Sequence, residues 1–155
     1  MAHTCEIVLA NRQKAKRLDR RILKKVAKLA LHLAKVESAE LGFHFVSTTE
    51  MARVHKEFMN IDGSTDVITF DHGSNPPALI HGEIFISVAD AIEQAREFKT
   101  SWQSEIARYM IHGILHLLGY DDLKPAARTK MKREENRLLR ACKKRITIRQ
   151  INRTL

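Results

Sequence analysis

The most constraining feature of the sequence is a segment near residues 101–118 whose second half is apolar on almost every side. Its apolar residues are Ile106, Met110, Ile111, Ile114, Leu115, Leu117 and Leu118. A helix that is apolar all round has to be buried, because no face of it prefers water. We therefore predict a central buried helix that ends at Gly119, the residue past its C-cap.

The rest of the chain alternates short strands with amphipathic helices. Residues 5–9, 41–46, 67–70 and 82–86 are β-prone runs that predict four strands. Helices are predicted over residues 17–36, 49–59, 88–99 and 125–144, with Thr48 or Thr49 as the N-cap of the second and a Thr100–Gln103 capping box before the central helix. This mixture favours an α+β or α/β domain with one small sheet covered by helices.

The length and composition are those of one soluble domain. A chain of 155 residues suits a single domain over residues 1–155. No apolar run is long enough for a membrane span, and the start does not have the pattern of a signal peptide. The two cysteines are far apart and form no CxxC pair, which favours a cytoplasmic protein. The basic tail after about residue 145 is a candidate for disorder.

The positive charge is concentrated in two arms. Residues 12–28 hold nine basic side chains and one acid, and residues 124–153 hold twelve basic side chains and two acids. Residues 31–123 hold six basic side chains and fourteen acids. Such asymmetry favours a polyanionic partner, with nucleic acid the obvious one, although the same charges could simply solvate exposed helix faces.

Two histidines on the central helix predict a metal site. His112 and His116 are four residues apart, so both imidazoles lie on one face of the helix. The turn after Gly119 lets Asp122 reach the same point as a third ligand, with Asp121 as the alternative. Three protein ligands leave the fourth position of a zinc ion to water, as in catalytic sites. A satisfied core histidine is the competing interpretation of each imidazole.

The spacing resembles the metzincin protease motif H-E-x-x-H-x-x-G-x-x-H. In those proteases the second residue is a glutamate that acts as the general base. Here that position is Gly113, which cannot take up a proton. The sequence therefore disfavours a metallopeptidase.

Three ordered motifs resemble the YbeY family of bacterial metal-dependent endoribonucleases, which act in ribosomal RNA maturation. The stretch HGILHLLGYDD at residues 112–122 is similar to the family signature H-G-x-L-H-L-x-G-Y-D-H. STDVITF at 64–70 resembles P-T-D-V-L-S-F, and GEIFIS at 82–87 resembles G-D-I-x-I-S. The resemblance covers about residues 40–140. Together with the pattern of elements, it implies an α+β fold with a small four-stranded mixed sheet, about five helices and the metal-binding helix at the centre.

Three positions depart from the family pattern. Asp122 stands where the family usually has a histidine ligand, and Glu83 stands where aspartate is usual. Met59 follows Phe58 where the family usually has an arginine, so a phosphate contact from that position is not available. The carboxylate of Asp122 is a legitimate zinc ligand, but it leaves the identity of the metal open.

The resemblance implies a zinc-dependent endoribonuclease that cleaves single-stranded or ribosomal RNA in ribosome maturation and quality control, with the small ribosomal subunit as its partner. The general base is open between a water on the metal, Asp66 and Glu83. For Asp66, fixing the start of a strand through side-chain hydrogen bonds is favoured over a catalytic role. His72 and His81 are expected to be solvated loop residues that could approach the site. The alternatives are a non-catalytic RNA-binding assembly factor with a structural metal, and a metallopeptidase.

Overall fold

The computed structural model describes residues 4–152. The strands are β1 (Cys5–Asn11), β2 (Ala39–Val46), β3 (Val67–Asp71) and β4 (Ile80–Ser87). The helices are α1 (Arg20–Leu33), α2 (Thr48–Met59), α3 (Val88–Phe98), α4 (Trp102–Leu117) and α5 (Pro125–Arg145), followed by a short 3-10 helix, Ile148–Ile151. Over the described residues, no helix combines the length and the apolar character that a membrane crossing needs.

The four strands form one mixed sheet in the order β1-β2-β4-β3. β1 pairs with β2 and β2 with β4 in parallel, whereas β3 and β4 are antiparallel. Five helices accompany this sheet, so the predicted α+β fold with a four-stranded mixed sheet and about five helices is confirmed. The antiparallel edge strand β3 brings residues 66–71 close to the carboxyl half of α4.

α4 lies at the centre of the domain, as its apolar sequence predicts. It contacts α1, α3, α5, β3 and β4, and eleven of its sixteen residues are buried. On β4, the alternate residues Gly82 and Ile84 face α4, which places Glu83 on the other side of the sheet. The histidine face of α4 is its less buried side, so the metal site opens at the surface.

Serine side chains, rather than the predicted threonines, cap two of the helices. Ser47 accepts a hydrogen bond from the Glu50 amide at the start of α2, so the prediction of Thr48 or Thr49 was wrong. At the start of α4, Ser101 accepts from the Ser104 amide in place of a Thr100–Gln103 capping box. Ser87 caps α3 in the same way. Serine binds a free helical amide as well as threonine does, so spacing alone did not choose between them.

The segment after Arg145 is packed against the domain as far as Asn152. Ile148 and Ile151 are buried, and the Asp19 amide donates to the Ile151 carbonyl oxygen at 2.8 Å. The expectation of disorder after about residue 145 is therefore wrong for residues 146–152, while residues 153–155 lie outside the described part. Burying the two isoleucines outweighs the preference of the surrounding basic residues for water, because each buried isoleucine side chain stabilises the fold by about 1.5–3 kcal/mol. That these residues and the rest of the chain fold as one domain is our proposal.

Candidate metal centre

One point near the C-terminal end of α4 is surrounded by the side chains of His112, His116 and Asp122. The two Nε2 atoms are 3.1 Å apart, and Asp122 Oδ2 lies 3.7 Å from His112 Nε2 and 3.5 Å from His116 Nε2. In the described part of the chain, this is the one group of three or more potential ligand side chains close enough to hold a metal ion. The structure thus brings together the three residues predicted as ligands.

The spacing of these three atoms fits a tetrahedral ion. Bonds of about 2.0–2.1 Å in tetrahedral geometry separate ligand atoms by about 3.3–3.4 Å. The observed separations, 3.1, 3.5 and 3.7 Å, bracket that value. Two imidazoles and one carboxylate are also a donor set that zinc accepts, with a position left open.

The turn after α4 presents Asp122 to the site and leaves Asp121 outside it. Gly119 adopts a positive φ of 100°, which reverses the chain at the end of the helix. Asp121 accepts a hydrogen bond from the Leu123 amide at 2.9 Å and stabilises the turn. The side chain of Arg128 donates to the Asp122 carbonyl oxygen at 3.2 Å and ties the turn to α5.

Glu135 on α5 supports His112 from behind. Its Oε2 atom lies 2.8 Å from His112 Nδ1, and its Oε1 atom accepts from Arg108 at 2.7 Å. Burial alone would raise the pKa of this carboxyl, but the hydrogen bonds from His112 and Arg108 outweigh it and leave the pKa below its usual value. An ionised carboxylate here fixes the Nδ1–H tautomer and turns Nε2 toward the metal position.

Glu135 was not predicted from the sequence, since it is one charged residue among many on α5. A signal was nevertheless present. Met131, Leu138, Leu139 and Cys142 form the buried stripe of that helix, and Glu135 lies on the same stripe, one turn after Met131. A charged residue on a buried stripe requires a partner, and here the partner is the first histidine of the site.

His116 occupies a less solvated position than an exposed histidine. Burial and the charge of His112 lower its pKa, with Asp122 partly opposing them. The imidazole therefore stays neutral to a lower pH than usual, and only the neutral ring can bind a metal.

Asp66 lies beside the metal site, at the start of β3. It lines two clefts that both include His112 and Asp122, of about 790 Å³ and 420 Å³. Its Oδ1 atom accepts from the Val67 amide at 2.9 Å, so it also fixes the strand as predicted. Within residues 4–152, its Oδ2 atom has a single long contact, 3.5 Å from Gln94 Nε2.

Glu83 lies on the far face of the sheet, so its prediction as a catalytic candidate was wrong. Its carboxylate binds His44 Nε2 at 2.8 Å and His72 Nε2 at 2.7 Å. The hydrogen bond from His72 is the main cause of the lowered pKa of Glu83. His72 also packs edge-on against His81, with ring centroids 5.5 Å apart, so neither is simply solvated. Because successive residues point to opposite faces of a sheet, Glu83, His72 and His81 lie on the face away from α4.

Gly113 is where α4 meets the sheet. A Cβ atom at this position would lie 2.6 Å from Ile84 Cγ2, well inside van der Waals contact. The residue after the first histidine therefore faces the sheet rather than the metal. A general base could not act from there even if the side chain carried one, which further disfavours a metallopeptidase.

The fold and the site define a class of protein: an α+β domain whose central helix offers two histidines one turn apart, completed by a carboxylate from the following turn. Comparison with known proteins narrows that class. Residues 8–143 match the family described as Endoribonuclease YbeY. The chain belongs to this family, as its three motifs predict.

Individual relatives agree with the family match. Endoribonuclease YbeY of Chlorobium phaeovibrioides is 33% identical over 118 residues, covering 76% of this chain and 78% of that protein. The protein of the same name from Protochlamydia amoebophila is 38% identical over 107 residues, covering 68% and 71%. The solution structure of TM1509 from Thermotoga maritima has a TM-score of 0.63 at 22% identity and covers 88% of each chain, which shows the shared fold. The predicted class of activity, endonucleolytic cleavage of RNA, is confirmed, and ribosomal RNA maturation is the role of the family.

Proposed function

We propose that this protein is a zinc-dependent endoribonuclease that cleaves single-stranded RNA during ribosomal RNA maturation in the cytoplasm. Its partners would be ribosomal RNA and the small ribosomal subunit, and ribosome quality control would be a further role. The observation that supports this most directly is the triangle of His112, His116 and Asp122, whose spacing fits a tetrahedral ion with one open position. When bound, zinc would polarise a phosphate oxygen and make a nearby water more acidic.

The protein would contribute orientation and proton handling. Glu135 would hold His112 in the binding tautomer, and the Asp122 carboxylate would complete the ligand set. Asp66 is the acid best placed to move a proton, since it lines both clefts that meet the ligands and its Oδ2 atom is weakly engaged. We propose Asp66 as the general base.

The larger cleft would bind the phosphates of the substrate. Arg128, Lys132 and Arg133 on α5 line it together with His112 and Asp122. Within residues 4–152, the side chains of Arg128 and Lys132 have only a single hydrogen bond or ion pair each, and the side chain of Arg133 has none. Cations without strong internal partners are available to neutralise phosphates. They would bind RNA on the α5 side of the metal, away from Met59.

Single-turnover cleavage of a labelled single-stranded RNA tests the proposal. Protein reconstituted with one equivalent of zinc should cleave the RNA, and Asp66→Asn should reduce the maximal rate by at least about a hundredfold while retaining zinc. A duplex of the same sequence is the control for strand specificity. RNA binding without cleavage by the zinc-loaded parent would contradict the proposal and favour the assembly-factor alternative.

A further inference from the structure

Exposed apolar side chains lie at the end of α2, where Met59 borders the metal site. Within the described part of the chain, six large apolar side chains are exposed, and three of them lie within residues 58–61: Phe58 at 62%, Met59 at 48% and Ile61 at 47%. A fourth, Leu123 at 81%, directly follows the ligand Asp122. Single exposed apolar residues are ordinary, but Met59 lines a cleft together with the ligands, and an exposed apolar side chain in a cleft is available to a bound molecule.

Met59 is part of the wall of the smaller cleft. It lines the cleft of about 420 Å³ that His112, His116 and Asp122 also line. Asn60 ends α2 in the left-handed conformation, with φ of 55°, and turns the chain directly after Met59. His55 Nδ1 lies 2.9 Å from the Gly63 carbonyl oxygen and holds the following loop against α2. The apolar wall therefore has a fixed place beside the metal position.

The same cleft also has polar lining residues. Thr69 and Asp71 on β3 contribute to it, next to Asp66. The hydroxyl oxygen of Thr69 is buried and has no hydrogen-bond partner within residues 4–152. Buried polar atoms are usually satisfied, so this hydroxyl marks a place that a water or a ligand atom completes. A ligand with an apolar face and a polar edge matches these two kinds of lining.

We propose that the smaller cleft binds one unpaired nucleobase next to the scissile phosphate, with the face of the base packed on Met59 and its edge toward Thr69 and Asp71. This rests on the proposed function, because an RNA strand lying across the metal brings its bases to the walls on either side. A methionine thioether packs favourably on aromatic rings without selecting among them. Apolar and aromatic platforms of this kind bind single strands with little sequence preference. Phe58 packs edge-on against Phe70, with ring centroids 5.6 Å apart, and holds the end of α2 against β3.

A double-mutant cycle, which combines a protein variant with substrates that lack one base, tests whether Met59 packs on a nucleobase. The substrates are a single-stranded oligoadenylate of eight nucleotides and a series in which each nucleotide in turn lacks its base. Single-turnover kinetics with zinc-loaded protein in excess separate the half-saturating protein concentration from the maximal rate. In the parent, one missing base should raise the half-saturating concentration about five- to tenfold. Met59→Ser should raise the half-saturating concentration for the intact strand by a similar factor. In this variant, removing the base that packs on residue 59 should cause no further increase.

Phe98→Ser is the control, since Phe98 is also an exposed apolar residue, at 61%, but lies at the end of α3. With Phe98→Ser, the missing base should still raise the half-saturating concentration as it does in the parent. Fluorescence anisotropy with the same proteins measures the same cycle without cleavage, so loss of the proposed function and loss of the platform are distinguishable. Equal penalties in the parent and Met59→Ser at every position would overturn the inference and leave this surface to a protein partner.

Discussion

Glu135 Oε2 lies 2.8 Å from His112 Nδ1, so a buried carboxylate on α5 sets the orientation of a ligand on α4. Removing its charge should weaken the metal site without removing a ligand. Glu135→Gln should lower zinc affinity about tenfold to a hundredfold, measured by competition with a chromogenic chelator. Glu134→Gln is the control, because Glu134 pairs with Arg137 and does not touch the site. Equal affinities in the two variants would show that Glu135 is only structural.

Asp122 and its neighbour Asp121 should differ sharply on substitution. Asp122→Ala leaves two protein ligands, so it should lose most zinc and most cleavage, whereas Asp121→Ala should keep both. Asp122→Asn, with a similar shape and a poorer ligand atom, should resemble Asp122→Ala. Zinc content by atomic absorption and single-turnover cleavage measure the two effects. If Asp122→Ala binds zinc and cleaves like the parent, the assignment is wrong.

The charge of the third ligand should set the pH dependence of cleavage. A carboxylate donates more charge to zinc than an imidazole, so a water near the ion is less acidic than in a site with three histidines. Asp122→His should therefore retain zinc and shift the rising limb of the pH–rate profile to lower pH. A profile that stays in place while zinc is retained would contradict this.

The stability of the metal-free protein should depend on pH through His116. Burial and the charge of His112 lower the pKa of His116 in the fold from its usual 6.5. Below pH 6.5 the unfolded chain therefore binds more protons, and stability falls until the pH reaches the lower folded value. His116→Asn should flatten this decline in urea titrations with chelator present. Replacing exposed His32 in the same way should leave the decline unchanged, and parallel curves for all three proteins would refute the assignment.

The two basic arms should contribute unequally to RNA affinity. Lys132 and Arg133 line the larger cleft, whereas Arg17, Arg20, Lys24 and Lys28 are exposed on and before α1 and line neither cleft at the metal. Neutralising the α5 pair should reduce the slope of log affinity against log salt by about 0.7 per lost single-strand contact. Neutralising the four residues near α1 tests whether that arm contacts phosphates too. An unchanged slope there would mean that the arm only solvates its helix.

Local patterns predicted most of the fold, and the rest depended on how the elements pack. The apolar segment near residue 110 is so extreme that it fixes α4 at the centre, and the spacing of His112 and His116 then fixes half of the site. Glu83 shows the opposite case. Alternation places it across the strand from Ile84, but only the assembled sheet shows that α4 covers the Ile84 side.

Glu135 and Met59 became informative only through partners distant in the sequence. Glu135 meets His112 across 23 positions. Met59 reaches the ligands because the end of α2 and the start of β3 meet at the end of α4. A pattern within one element cannot contain either relationship, because both arise from the packing of separate elements.

The contact between Gly113 and Ile84 also limits which chemistries this scaffold can acquire. A glutamate at position 113 would reproduce the motif of a zinc peptidase in sequence, but its side chain would have to enter the space that Ile84 fills. Either Ile84 would have to repack within the buried core, or the helix would have to rotate or lift from β4 and displace His112 and His116 with it. The close approach of helix and sheet thus places a steric barrier between this site and the zinc-peptidase motif.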